Sequence, residues 1–149
     1  MTLQTQIEEA YTDAFRLGKK ADVAVLRLLK SALKNEEIAL RATSLTDEQS
    51  LAVIRREVKR RRDSIQLYTQ GNRPELAATE EAELAYLQRF LPAELTDSEL
   101  ETLVQGAIAE SGAAGPSEMG KVMGLLKPKI SGRADGGRVA ALTKRLLGG

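Results

Sequence analysis

Gly115, Gly120 and Lys121 stand at the spacing G-x-x-x-x-G-K, the pattern of a phosphate-binding loop. Such a loop needs a serine or threonine after the lysine to hold Mg²⁺, and it follows a β-strand. Here Val122 takes the place of the hydroxyl, Glu118 would put a negative charge inside the cradle, and the preceding ETLVQGAIAES has helical periodicity. The stretch reads instead as a helix entry, with Ser117 as N-cap and Gly115-Pro116 shaping the approach. Histidine and cysteine are both missing. Thiol catalysis, disulfides, Cys/His zinc sites and Ser-His-Asp triads are therefore excluded within the chain. The paired glutamates Glu8/Glu9, Glu36/Glu37 and Glu80/Glu81 occupy adjacent helix positions, which do not face one site. No catalytic residue, metal or cofactor site is expected.

The basic residues are more informative. From Pro92 to Glu118 there are six acids and no base; from Met119 to Gly149 there are seven bases and one acid, Asp135. Net charge over the whole chain is only +1, so the asymmetry is local, and it points to a polyanion-facing surface at the C-terminal end. Lys121, Lys127, Lys129 and Arg133 cluster around a turn, and Arg138 stands at the start of the last helix. Gly120, Gly124, Gly132, Gly136 and Gly137 remove side chains where another backbone could come close, and Gly136-Gly137 fits a phosphate-favouring helix N-terminus. A second reading stands beside this one: Gly124 lets short helices pack, and Gly132 and Gly136 are turn residues. A further basic face comes from RREVKRRRD, where Arg55, Lys59 and Arg62 share one side of a helix and Arg56 and Arg60 another. Such a face can track a phosphate backbone. The preferred reading is a solvated face paired with Glu75, Glu80, Glu81 and Glu83. Arg61 falls in a gap of the stripe Leu51, Ile54, Val58, Ile65, Tyr68; its stem is expected along the apolar seam with its head reaching out.

The elements that must position these residues are all helical. Apolar residues make up 42% of the 149, charged residues 29% and aromatics 3%, with strong helix formers dominating and no alternating stretch. Helices are predicted over 2–17, 21–41, 46–69 (opened by a Thr46/Gln49 capping box) and from Pro74. Leu28 and Leu40 are placed on the apolar side of the second. After Pro92, a Thr96/Glu99 capping box starts a fifth helix over 97–111; a sixth covers 117–126, ended early by Pro128, and a seventh 137–147. The fold class is all-α: an N-terminal four-helix part, 1–94, followed by a small three-helix domain, 95–149. The opening MTLQTQIEEAYTDAF is acidic and amphipathic, unlike a signal peptide, and no apolar run spans a bilayer, so a cytoplasmic protein without membrane contact is expected. The closing Gly148-Gly149 reads as a frayed end.

GKVMGLLKPKISGRADGGRV closely resembles the C-terminal signature of the YqeY family, which is similar to the tail domain of GatB, the tRNA-binding subunit of the glutamine-dependent Asp/Glu-tRNA amidotransferase. VLRLLKSALKNEEIAL and REVKRRRDSIQLYTQGNRPELAATEEAELAYLQRFLPAELTDSEL extend the resemblance over nearly the whole chain, with Arg133 where lysine is common. The resemblance implies a helical part followed by a GatB-tail-like domain acting as a non-catalytic tRNA-binding module. Gly120, Lys121, Lys127, Lys129, Gly132, Arg133, Gly136 and Arg138 would form its RNA-facing surface. Related domains on some glutaminyl-tRNA synthetases imply an amidotransferase or an aminoacyl-tRNA synthetase as partner. The family's label as a carbon–nitrogen ligase with glutamine as amide donor implies an alternative role, as an accessory amidotransferase component. The kinase chemistry of GatB lies in another domain and the amidase chemistry in another subunit. A third reading is a protein-interaction module docking through the acidic faces of the fourth and fifth helices.

Overall fold

A computed structural model describes residues 1–148; Gly149, the last of the terminal glycine pair, lies outside them. The protein is all-α. The described residues form α1 (Leu3–Arg16), α2 (Lys20–Leu40), α3 (Asp47–Gln70), α4 (Pro74–Gln88), α5 (Asp97–Ser111), α6 (Met119–Ile130) and α7 (Gly136–Leu146), with a 3₁₀ turn, Pro116–Glu118, before α6. The chain divides into two compact units, Met1–Leu91 and Pro92–Gly149. No helix among the described residues is long and apolar enough to cross a membrane.

Local chemistry sets the helix ends. At α3 the capping box is complete: Thr46 Oγ1 accepts from the Gln49 N–H (3.1 Å), and Gln49 Oε1 accepts from the Thr46 N–H (2.9 Å). Pro74 opens α4, where a missing N–H costs nothing. At α5 Thr96 makes the forward half of the same motif, accepting from the Glu99 N–H at 3.2 Å. Two expectations fail at α6. Ser117 lies in the 3₁₀ turn and does not cap the helix; Glu118 is the N-cap residue. Pro128 does not end the helix, which runs on to Ile130. Proline removes one hydrogen bond, to the Gly124 carbonyl. That loss falls in the last turn, where buried Ile130 anchors the chain beyond it.

The core of the first unit joins Leu3, Ile7 and Ala14 of α1, Val25, Leu26, Leu29 and Leu33 of α2, Val53, Ile54 and Val58 of α3, and Leu87 of α4. Leu28 and Leu40, predicted to face inward, are 54% and 46% exposed, while Leu26 is fully buried. The buried face of α2 is thus Val25, Leu26, Leu29, Leu33, continued by Glu37. Buried Glu37 is met by a partner on its own helix and by one on α1. Lys34 Nζ donates to its Oε2 (2.9 Å), Gln4 Nε2 donates to its Oε1, and Gln4 Oε1 accepts from the Leu45 N–H (3.0 Å). The Lys34 and Gln4 hydrogen bonds, in that order, hold the Glu37 carboxyl below the ordinary glutamate value against the opposing effect of burial.

Arg61 is also buried, 4% exposed, and its head does not reach out as its place in the stripe suggested. Its Nη1 donates to the Glu57 carbonyl (3.2 Å) and to Glu57 Oε2 (3.0 Å), and its Nε donates to Glu83 Oε2 of α4 (3.2 Å). It lies on the α3 face that carries Ile54, Glu57 and Val58, all buried, so the geometry of the helix takes it inward and a carboxylate on each helix meets it. The second unit is built alike around Leu100, Val104 and Ala107 of α5, Val122, Leu126 and Ile130 of α6, and Val139 of α7, closed by Leu95 and Leu147.

Two outcomes follow from these buried charges. Arg61→Ala leaves Glu83 unpaired at the α3–α4 seam and Glu57 with only its longer pair to Arg60, and should lower stability by about 3 kcal/mol in urea unfolding, whereas replacing Glu57, Arg61 and Glu83 together with Met or Leu should restore most of the loss. A depressed folded-state pKa contributes stability that is present above the ordinary glutamate value and lost as pH falls through the folded one. Glu37→Gln should therefore lose less stability than the wild type between about pH 6 and about pH 3, followed by circular dichroism.

Candidate nucleic-acid interface

The C-terminal bases divide into two kinds. Arg133 and Arg138 serve the fold. Arg133 Nη2 donates to the Lys129 carbonyl (2.9 Å) and Nε to the Ile130 carbonyl (3.3 Å), satisfying the last turn of α6. The Arg133 carbonyl in turn accepts from the Leu95 N–H (2.8 Å). Arg138 Nη1 donates to the Leu95 carbonyl (3.2 Å) and Nη2 to Asp97 Oδ1, so one guanidinium ties α7 to the residues that lead into α5. The planar fork of arginine suits this bridging.

The lysines point outward. Lys121, Lys127 and Lys129 are exposed on α6. At about 100° per residue, Lys127, Gly120, Gly124, Pro128 and Lys121 follow one another across an arc of about 120° of the helix surface. Every residue of that arc is exposed. A Cβ added at Gly120 or Gly124 would meet nothing within 4 Å, so Gly124 does not serve close packing of helices. The arc bares the backbone at Gly120 and Gly124 and has a lysine at each edge. Lys121 meets Glu118 at 3.3 Å and Lys129 meets Glu110 at 2.9 Å. Both are solvent-exposed pairs of the kind that contributes little, and they leave the ammonium groups able to turn to another anion.

The connection after α6 needs its glycine. Ser131 (φ +45°) and Gly132 (φ +74°) both take left-handed backbone, which glycine adopts without a Cβ penalty. Gly136 and Gly137 begin α7, but Asp135 is the N-cap there, its side chain accepting from the Arg138 N–H at 3.3 Å. A carboxylate already occupies the helix N-terminus that the sequence offered to a phosphate. The G-x-x-x-x-G-K pattern also finds its physical meaning. It follows helix α5, and Glu118 turns back to accept from the Ala114 N–H (2.6 Å). That bond first, and Lys121 second, hold the Glu118 carboxyl below its ordinary value.

The second basic face lies on α3. Arg56 pairs with Glu36 of α2 (2.7 Å) and Arg60 with Glu57 of its own helix (3.5 Å). The expected partners on α4 are taken up differently: it is buried Arg61 that reaches Glu83. Arg55 is half-buried, and burial lowers its pKa while the charge of Glu48 opposes the shift. Lys59 and Arg62 are exposed. The sequence reading did not single out the groove beside this face, lined by α2, α3 and α4. The i,i+4 pair Glu57–Arg61 was the signal available for it.

A profile of the family described as Yqey-like protein matches residues 4–147, so the chain belongs to that family. Among curated proteins none matches the chain.

The division of the bases is measurable without any ligand. Arg138→Ala should cost the protein roughly 1–2 kcal/mol in chemical unfolding through the loss of its bonds to Leu95 and Asp97. Lys127→Ala should change it by less than about 0.5 kcal/mol. Equal effects of the two variants would contradict the division.

Proposed function

We propose that this Yqey-like protein is a non-catalytic tRNA-binding module of the cytoplasm, related to the tRNA-contacting tail of the glutamine-dependent Asp/Glu-tRNA amidotransferase. One observation carries the reading: an exposed arc of α6 on which Gly120 and Gly124 leave the backbone bare, with Pro128 beside them and Lys121 and Lys127 at its edges, while Lys129 stands about 80° beyond Lys121. Lysines supply phosphate affinity without sequence discrimination. Missing side chains let a ribose-phosphate backbone come close to the helix, which suits recognition of a folded RNA by shape. The resemblance of the GKVMGLLKPKISGRADGG stretch to the GatB tail supports the same reading, with amidotransferase subunits or an aminoacyl-tRNA synthetase as the setting in which the module works. The roles of Arg133, Arg138, Gly132 and Gly136 in this reading are to hold the lysine-bearing helix in place. The chain's own residues supply binding and no bond-making chemistry, so a part in amide transfer would come through its partners.

A second reading, a protein-interaction module, is favoured by the large apolar side chains that the first unit leaves exposed, among them Leu28, Ile38, Leu67 and Leu76.

The test is binding of the full-length protein to total tRNA by fluorescence anisotropy across a salt series. Saturable binding with a steep salt slope is expected. The triple variant Lys121→Ala/Lys127→Ala/Lys129→Ala should fold normally, bind at least tenfold more weakly and lower the slope by about 2 to 3. Unchanged affinity and slope in that variant would remove the α6 surface from the function.

A further inference from the structure

The first unit contains a groove of about 660 Å³ that takes no part in the proposed RNA surface. Its lining follows helical spacing on both sides. On α2 it runs from Leu28 through Ala32 to Ala39, and on α3 from Val53 through Arg60 to Ser64. Each stretch is about 17 Å of helix, three turns. The groove is therefore an open furrow, longer than a compact small molecule needs. Small residues, Ala32, Ala39 and Ser64 among them, let a backbone approach closely. The exposed Leu28 adds apolar surface at one end.

The charges in the furrow choose the occupant. Four carboxylates line it, Glu36, Glu57, Glu80 and Glu83, against three guanidinium groups. All three arginines are already engaged: Arg56 with Glu36, Arg60 with Glu57, and Arg61 with Glu57 and Glu83. The lining is left with one net negative charge on the α4 side. Glu80 makes no ion pair among those of the lining; burial first, then the neighbouring charge of Glu83, raise its pKa above the ordinary value, and the charge of Arg61 opposes them only in part. A cation placed there would offset the charge of Glu83 and favour the ionised form of Glu80.

We propose that the groove of α2, α3 and α4 seats a helical segment of another protein, one that presents small apolar residues at i, i+3 or i+4 spacing and a lysine or arginine opposite Glu80 and Glu83. This is helix-in-groove recognition, in which apolar anchors give affinity and one ion pair sets the register. It uses surface that the lysines of α6 do not share, so either function can fail without the other.

The experiment selects a displayed library of helix-forming 16-residue peptides, sized from the length of the furrow by about 1.5 Å per residue with a margin at each end, on the full-length protein. Enriched peptides should share one lysine or arginine flanked by alanine or other small apolar residues at helical spacing. They should bind Glu80→Lys at least tenfold more weakly than wild type. Ala39→Arg, a change at an exposed lining position, should abolish the same binding and guards against a Glu80→Lys variant that fails to fold. No enrichment, peptides without a basic residue, or undiminished binding to Ala39→Arg would overturn the proposal. So would a dimer in sedimentation that Ala39→Arg dissociates, because the occupant would then be a second copy of this chain.

Discussion

A guanidinium removed from water must be met by hydrogen bonds and opposite charge, and Arg61 is almost wholly removed from water. That requirement organises much of the first unit. Arg61 lies where the apolar stripe of α3 would otherwise continue, so it cannot turn away without breaking the face that carries Ile54 and Val58. Glu57, one turn earlier, supplies a carboxylate and its carbonyl, and Glu83 supplies a carboxylate from α4. On α4 Ala77 and Leu87 are buried, and Leu84 and Tyr86 pack against the same core. An ion triad stands beside this apolar packing at the α3–α4 seam. Such an arrangement is worth little in net stability, and an incorrect register of the two helices would leave its charges unpaired. The polar seam also leaves a charged furrow beside it.

The second unit solves a different problem. Its helices have 15, 12 and 11 residues, lengths at which isolated helices are marginal in water. They are held by a shared core and by side chains that close their ends. Asp135 caps α7, Arg133 takes the orphan carbonyls of α6, and Arg138 ties α7 to Leu95 and Asp97. Arg133 and Arg138 do structural work, and Lys121, Lys127 and Lys129 stay at the surface. The difference follows from the side chains: a planar fork makes several directed bonds at once, while a strongly hydrated ammonium stays in water. A charge count along the sequence does not separate these roles, because each base adds the same +1.

The sequence reading located the helices well because their ends are written in local chemistry. Thr46 with Gln49, Pro74 and Thr96 act within three or four residues of themselves, and the structure uses each where expected. It failed where a distant contact outweighed a local preference. Pro128 is carried inside α6 because Ile130 is anchored in a core that a single-helix reading cannot see. Leu28 and Leu40 look like core residues by type, yet they are exposed because α2 turns Leu26 and Glu37 inward. The rotation of a helix about its axis is decided by what packs against it, and α2 is a long helix whose apolar residues allow two phases.

The sequence by itself determined the helical class, most helix ends, the chemistry that lacking histidine and cysteine rules out, and the family signature in the last third of the chain. These depend on composition, on short-range hydrogen bonding and on residue order. Only the tertiary structure decided that Arg61 is buried, that Arg133 and Arg138 hold the fold while Lys121, Lys127 and Lys129 remain exposed, and that Gly120 and Gly124 face open space. Burial and pairing are properties of residues far apart in the chain, such as Arg61 with Glu83 or Arg138 with Leu95. No local pattern encodes which of several like charges will find a partner across the core, because that choice is made by packing.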